Sequence, residues 1–288
     1  MRNLPLACLA LSLTAIVAAC SSAGDSPSPT SEAVSGTPRV TASPLPTPTP
    51  VATPPPTSAI SPTPFVSPLD LSAYPAGSVG YAISFPQCGG AYPSAPFDFG
   101  IIGITDGSAL TRNPCFGDEY RWALNGHYHP SIYMNTNLRK ANLPDPNPPN
   151  CDDGCVAYQN GWDTAADAYD YAVSENAVAP VWWLDVQIVS SWSPNLSLNE
   201  RALVGAADFL HAKGIRVGIS STHYQWTTIA GEAQHNQTVW DASAGSPEQA
   251  KDFCREGKDF GGGRTELIAW VGQYETVTAC GVPSPTSR

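Results

Sequence analysis

The sequence predicts an α/β fold, a TIM-like (β/α)-barrel with disulfides, and three observations carry that expectation. Short apolar runs alternate with helical patterns from Pro68 to Arg288, the order expected of parallel strands joined by crossover helices. The central run, Val181 to Gln187, holds Trp182-Trp183-Leu184 directly before Asp185, which is how a strand covered on both faces reads. Six cysteines lie in this region, Cys88, Cys115, Cys151, Cys155, Cys254 and Cys280, an even set that argues for disulfides in an exported chain.

The elements follow in order. Val79–Phe85, Phe99–Thr105, Ser131–Asn135, Val181–Gln187, Arg216–Ser221, Thr238–Asp241 and Leu267–Tyr274 are apolar enough and short enough to be strands. Between them, Phe116–Asn125, Tyr158–Val173, Leu198–Lys213, Tyr224–Gly231 and Pro247–Arg255 read as helices. Leu198–Lys213 is the clearest. Leu198, Ala202, Phe209 and Leu210 share a face, and Gly214 follows as a C-terminal cap. A doubly wound open sheet is the alternative architecture. The chain has no G-x-G-x-x-G or P-loop pattern, so nothing supports a nucleotide site, and no cofactor is expected.

The N-terminal part has a different character. Arg2, an apolar stretch from Leu4 to Val17 and the small residues before Cys20 make residues 1–20 an export signal. The stretch is shorter than the ~20 residues a membrane-spanning helix needs. Val17-Ala18-Ala19-Cys20 resembles the lipobox of bacterial lipoproteins, which implies lipidation at Cys20, a protein anchored to the bacterial cell envelope and a membrane contact through that lipid. Residues 21–67 are a Pro/Ser/Thr-rich linker with Thr-Pro repeats, too poor in large apolar residues to build a core. Extended as polyproline II at about 3.1 Å per residue, such a tether reaches on the order of 150 Å. Residues 68–288 form the barrel domain. With 14 Lys and Arg against 25 Asp and Glu, the net charge of −11 argues against a nucleic-acid partner.

Pairing six cysteines allows 15 connectivities. Cys88–Cys115, Cys151–Cys155 and Cys254–Cys280 are favoured because each closes a short or neighbouring loop. Cys151-Asp-Asp-Gly-Cys155 also reads as half a zinc site, and His127-x-His129 as a possible metal pair. The cysteine segment has no second close ligand pair at finger-like spacing, and Pro130 with the entry to a strand makes the histidine pair a structural loop, so no metal is expected.

Several motifs in fixed order carry a resemblance. They are Gly80-Tyr81-Ala82-Ile83-Ser84-Phe85, Phe99-Gly100-Ile101-Ile102-Gly103-Ile104, Asn113-Pro114-Cys115, Ile132-Tyr133-Met134-Asn135-Thr136, Trp182-Trp183-Leu184-Asp185-Val186, Val217-Gly218-Ile219-Ser220-Ser221, Tyr224-Gln225-Trp226 and Gln273-Tyr274. From Tyr81 to Cys280 the chain resembles the family 25 glycoside hydrolases, the lysozyme-like muramidases. The resemblance implies a barrel whose C-terminal mouth takes peptidoglycan or a related polysaccharide. It also implies an Asp on the first strand, where this chain has Ala82, and an Asp-x-Glu on the central strand, where this chain has Asp185 and Gln187. A further family acid near Gln-Tyr has Glu275 as its candidate counterpart. Glycosidic cleavage needs a proton for the leaving oxygen and a carboxylate at the anomeric carbon, and Gln187 has no proton to give. Two outcomes therefore stand side by side: a hydrolase built on Asp185 with an unusual partner, or a catalytically degenerate module that binds glycan or scaffolds proteins.

Candidate catalytic positions are Asp185, Gln187, Asp106, Asp241 and Glu275, each at or just beyond the C-terminal end of an expected strand. Asp106 before Gly107 and Asp241 before Ala242-Ser243 suit turn and cap roles equally well. Candidate glycan contacts are Tyr133, Trp183, His223, Trp226 and Tyr274, because rings with one polar edge suit sugar faces. Strand alternation puts one of Trp182 and Trp183 inside the barrel and the other against a helix.

Overall fold

Eight strands, each buried on at least one face, close on themselves in sequence order. They are β1 (Val79–Ile83), β2 (Gly100–Gly103), β3 (Ser131–Asn135), β4 (Val181–Asp185), β5 (Arg216–Ser221), β6 (Thr238–Ala244), β7 (Thr265–Val271) and β8 (Glu275–Ala279). The helices are α1 (Phe116–Ala123), α2 (Asp153–Ser174), α3 (Leu196–Ala212), α4 (His223–Ala230) and α5 (Pro247–Glu256). The computed structural model describes residues 73–139 and 143–281. The expected signal, Cys20 and the whole linker lie outside the described residues. The closed barrel rules out the open sheet.

The sheet departs from the expectation in one respect. The run expected as a single strand to Tyr274 ends at Val271, and the chain turns through Gly272–Tyr274, where the Gly272 N–H donates to the Tyr274 carbonyl at 3.0 Å. β8 then runs back antiparallel to both β7 and β1. The other neighbouring pairs are parallel. Because β8 is reversed, its first residue lies at the end of the barrel where the parallel strands finish.

Two apolar cores follow from strand alternation. Ala82, Ile101, Trp183, Trp240, Leu267 and Val277 pack together inside the barrel. Ile83, Ile102, Met134, Trp182, Leu184 and Ile219 face outward against the helices. Trp183 is therefore the interior tryptophan. Gly218 on β5 leaves room for it, since a Cβ there would stand 2.3 Å from the Trp183 ring. At the floor, the Arg216 guanidinium meets Glu266 at 2.9 Å, and Tyr74 stacks on Phe99 with ring centroids 3.7 Å apart.

The helix ends are set by side chains. Asp152 accepts from the Cys155 N–H and caps α2, Asn195 caps α3, and Thr222 caps α4. Gly214 sits just past α3 with φ +74°, a left-handed conformation that favours glycine. All three favoured disulfides are present: Cys88–Cys115, Cys151–Cys155 and Cys254–Cys280. Cys151 and Cys155 are thus bonded to each other and unavailable as a zinc half-site.

Candidate active site

Polar side chains at or just past the ends of β2, β3, β4 and β5 converge at the mouth. Asp185, the last residue of β4, is 3% exposed and lies in register between Asn135 of β3 and Ser220 of β5. The Asn135 Nδ2 donates to Asp185 Oδ2 at 2.6 Å, and the Gln187 Nε2 donates to Oδ1 at 3.0 Å. Thr105, just past β2, donates its hydroxyl to Asn135 Oδ1 at 2.7 Å and accepts the Asn135 backbone N–H at 3.0 Å. The Thr136 hydroxyl holds the Asp185 carbonyl at 2.7 Å.

The acid is therefore embedded among neutral donors. Burial pushes its carboxyl up to about 7, against the hydrogen bonds from Gln187, Ser220 and Asn135 that favour the ionised form. Glu275 opens β8 in register with Ala82, and alternates with Val277 and Ala279 of the interior core. It is half-buried. Burial, and then the negative charge of Asp185, push it up to about 7 as well. Tyr133, also half-buried and packed against the interior core, has its phenol pushed up by burial, opposed by a Ser84 hydrogen bond and reinforced by Asp185 and Glu275.

The other expected site residues are placed elsewhere. Asp106 is exposed in the loop after β2, where its backbone N–H donates to the Thr111 hydroxyl at 2.9 Å. Asp241 is 2% exposed and pairs in register with Ser221. Its carboxyl accepts from the Ser243 backbone N–H at 3.0 Å and from the Ser243 hydroxyl. Burial raises its pKa, with Ser243, Lys258 and His223 pulling it down. Asp241 therefore answers to a different set of charges from the Asp185 cluster, as the strand irregularity on both sides of Trp240–Asp241 allows.

Two expected glycan contacts are core instead. Trp183 is 0% exposed, with its indole N–H on the Ser131 hydroxyl at 3.1 Å. Trp226 is 2% exposed, its N–H on the Ala233 carbonyl at 3.2 Å and its ring against His235. His223 is exposed at the first turn of α4. Tyr274 is half-buried in the β7–β8 turn, its hydroxyl on the Ala91 carbonyl at 3.0 Å. A cleft of about 460 Å³ lies between the loops after β3 and β4, walled by Leu138, Val156, Trp192 and Leu198. Trp192 joins it to the acid cluster, because its indole N–H donates to the Gln187 carbonyl at 2.9 Å.

Sequence reasoning missed Thr105, Asn135 and Ser220 as site residues. A signal for them existed: each is a polar residue closing an apolar run, as Asp185 is. Among the described residues, no group of three or more His, Cys, Asp and Glu side chains forms a metal-binding cluster.

A family model described as lysozyme-like protein 1 matches residues 154–263, under half of the chain. The matched span includes Asp185 and Gln187 and stops before Glu275. No curated protein matches the sequence. Three solved structures are similar in shape at low identity. The glycosyl hydrolase 25 GHIP of Streptococcus pneumoniae is 12% identical over 73% of this chain and 88% of that one, with a TM-score of 0.45. The catalytic domain of endolysin ply40, from bacteriophage P40 of Listeria monocytogenes, is 11% identical over 70% and 93%, with a TM-score of 0.48. A bacterial lysozyme from Streptomyces coelicolor is 15% identical over 72% and 93%, with a TM-score of 0.42.

Proposed function

We propose that this barrel acts on a cell-wall glycan, peptidoglycan or a related polysaccharide, as a glycosidase whose working pair is Asp185 and Glu275. The observation that carries the reading is the pair itself. Both carboxyls face one mouth, and both are pushed up to about 7. Near neutral pH such a pair favours one proton between two groups, which is the state glycosidic cleavage uses: an acid for the leaving oxygen and a carboxylate for the anomeric centre. The lysozyme-like match over residues 154–263 supports the ligand class. Three disulfides suit an oxidising, exported setting. The finer parts of the reading, lipidation at Cys20 and a tether over residues 21–67 that carries the barrel from the membrane into the wall, rest on the sequence alone.

One observation favours a second reading, a glycan-binding module without efficient hydrolysis. The residue two places after Asp185 is an amide that hydrogen-bonds Asp185 and supplies no proton. Loss of a general acid costs roughly 10²–10⁴-fold in rate.

The test is release of new reducing ends from purified peptidoglycan by the disulfide-bonded protein, beside Asp185→Asn and Glu275→Gln. Release that falls at least 100-fold in both variants is the expected outcome. Absence of release from the parent, with peptidoglycan retained on it and turnover gained by Gln187→Glu, would establish the binding module instead.

A further inference from the structure

The two carboxyls of the mouth have unequal surroundings. Asp185 receives an amide N–H on each oxygen, from Asn135 and from Gln187, and the Ser220 hydroxyl adds to them. A proton on Asp185 Oδ2 would point at the Asn135 amide nitrogen, donor against donor. Turning the Asn135 oxygen toward that proton would break the bond that the Thr105 hydroxyl, itself accepting the Asn135 backbone N–H, donates to Asn135 Oδ1. The network therefore favours the amide orientation in which Asp185 is an acceptor.

Glu275 has no such support. Among the described residues no hydrogen-bond donor reaches its carboxyl, which feels burial and the charge of Asp185. No Lys, Arg or His forms an ion pair with either acid within the described residues. Tyr133 on β3, whose phenol is held neutral by burial, feels the charge of both. Among the described residues no side chain donates to Glu275, whereas three donors compensate a charge on Asp185.

We infer that the shared proton belongs to Glu275, which is the acid of this site, and that Asp185 is the standing carboxylate, held in that role by Asn135 and Thr105 as positioning residues. The assignment rests on the reading of the mouth as a glycan site, and it gives the absent acid at position 187 a replacement from the opposite wall of the barrel. In the reaction the Glu275 proton passes to the glycosidic oxygen as the bond from the anomeric carbon breaks and its electron pair stays on that oxygen. Water supplies the hydroxyl that takes its place on the sugar, and the proton that water loses returns to the carboxyl pair. Exposure differs in the same sense: Glu275 is half-buried, while Asp185 is 3% exposed.

The test is a titration of the Asp and Glu carboxyl carbons by NMR, without glycan, on the disulfide-bonded full chain and on Asp185→Asn and Thr105→Val. In the parent, Asp185 should ionise first as pH rises and Glu275 last. Asp185→Asn removes the charge that opposes ionisation, so the Glu275 midpoint should fall by a unit or more. Thr105→Val frees the Asn135 amide to rotate, so the Asp185 midpoint should rise and the interval between the two midpoints should shrink or reverse. A parent in which Asp185 ionises last, or a Glu275 midpoint unmoved in Asp185→Asn, overturns the assignment. The parent titration decides the question even where a variant fails to fold. Failure of the glycan reading is separate: the expected order of ionisation without glycan cleavage or retention leaves the proton assignment standing and removes the function.

Discussion

A carboxyl held far above its ordinary range makes the fold prefer acid. Asp185 moves from 3.8 to about 7, Glu275 from 4.5 to about 7, and the fully buried Glu119, bonded by the Asn113 amide at 2.6 Å, from 4.5 to about 7. In each case burial is the main cause. Between the unfolded values near 4 and the folded values near 7, the native state holds protons that the unfolded chain has lost. Stability is therefore fully present below about pH 4 as far as these groups are concerned, and falls as pH rises toward 7. At about 1.4 kcal/mol per pH unit, displacement of this kind weakens the fold by a few kcal/mol once the groups have ionised. Thermal unfolding should show a lower midpoint at pH 8 than at pH 5. Asp185→Asn and Glu275→Gln should each flatten that slope, whereas an unchanged slope in both would mean that neither acid is displaced in the folded protein. Asp185 itself was legible in the sequence as the acid ending an apolar run. Asn135 and Thr105 were not read, because polar residues at strand ends are common and only their mutual bonds distinguish these two.

At the scale of elements, the helical layer depends on close approach. α2 and α3 touch through two glycines. A Cβ at Gly161 would lie 1.7 Å from the Ala202 carbonyl oxygen, and one at Gly205 would lie 2.0 Å from the Tyr158 carbonyl oxygen. Alanine is favoured over glycine in a helix by about 1 kcal/mol, yet here the backbone of the facing helix fills the space. Gly161→Ala should thus destabilise by about 2–4 kcal/mol, as overpacking does, in a denaturant titration. A stabilised Gly161→Ala protein would mean that the helices stand further apart. The sequence pattern found both helices but began them late, at Tyr158 and Leu198 rather than Asp153 and Leu196. Capping by Asp152 and Asn195 explains the difference: a cap replaces the missing backbone partners of a first turn, which periodicity does not register. The β7–β8 reversal was missed for a related reason, since Gly272-Gln273-Tyr274 is a weak turn signal.

For the whole molecule, closure is fastened by covalent bonds as well as by the sheet. Cys254–Cys280 joins α5 to the residue after β8 across 26 positions, and Cys88–Cys115 joins the loop after β1 to the N-terminus of α1. Loop-closure entropy puts a bridge of that length at about 3 kcal/mol. Replacing Cys254 and Cys280 by Ser should lower the unfolding free energy by roughly 2–4 kcal/mol in urea, and should weaken the proposed glycan turnover because β8 carries Glu275. A double variant as stable as the parent would mean that the sheet alone holds β8. By itself the sequence determined the alternation of strands and helices, an even set of cysteines and the acid at the end of β4. These are local: period, short loops and composition fix them within a few residues. Only the tertiary structure decided that Trp183 lies inside and Trp182 outside, that Asp241 stands apart, and that Glu275 faces Asp185. Each depends on register and on the direction of the closing strand, which contacts between distant parts of the chain set and no local pattern records.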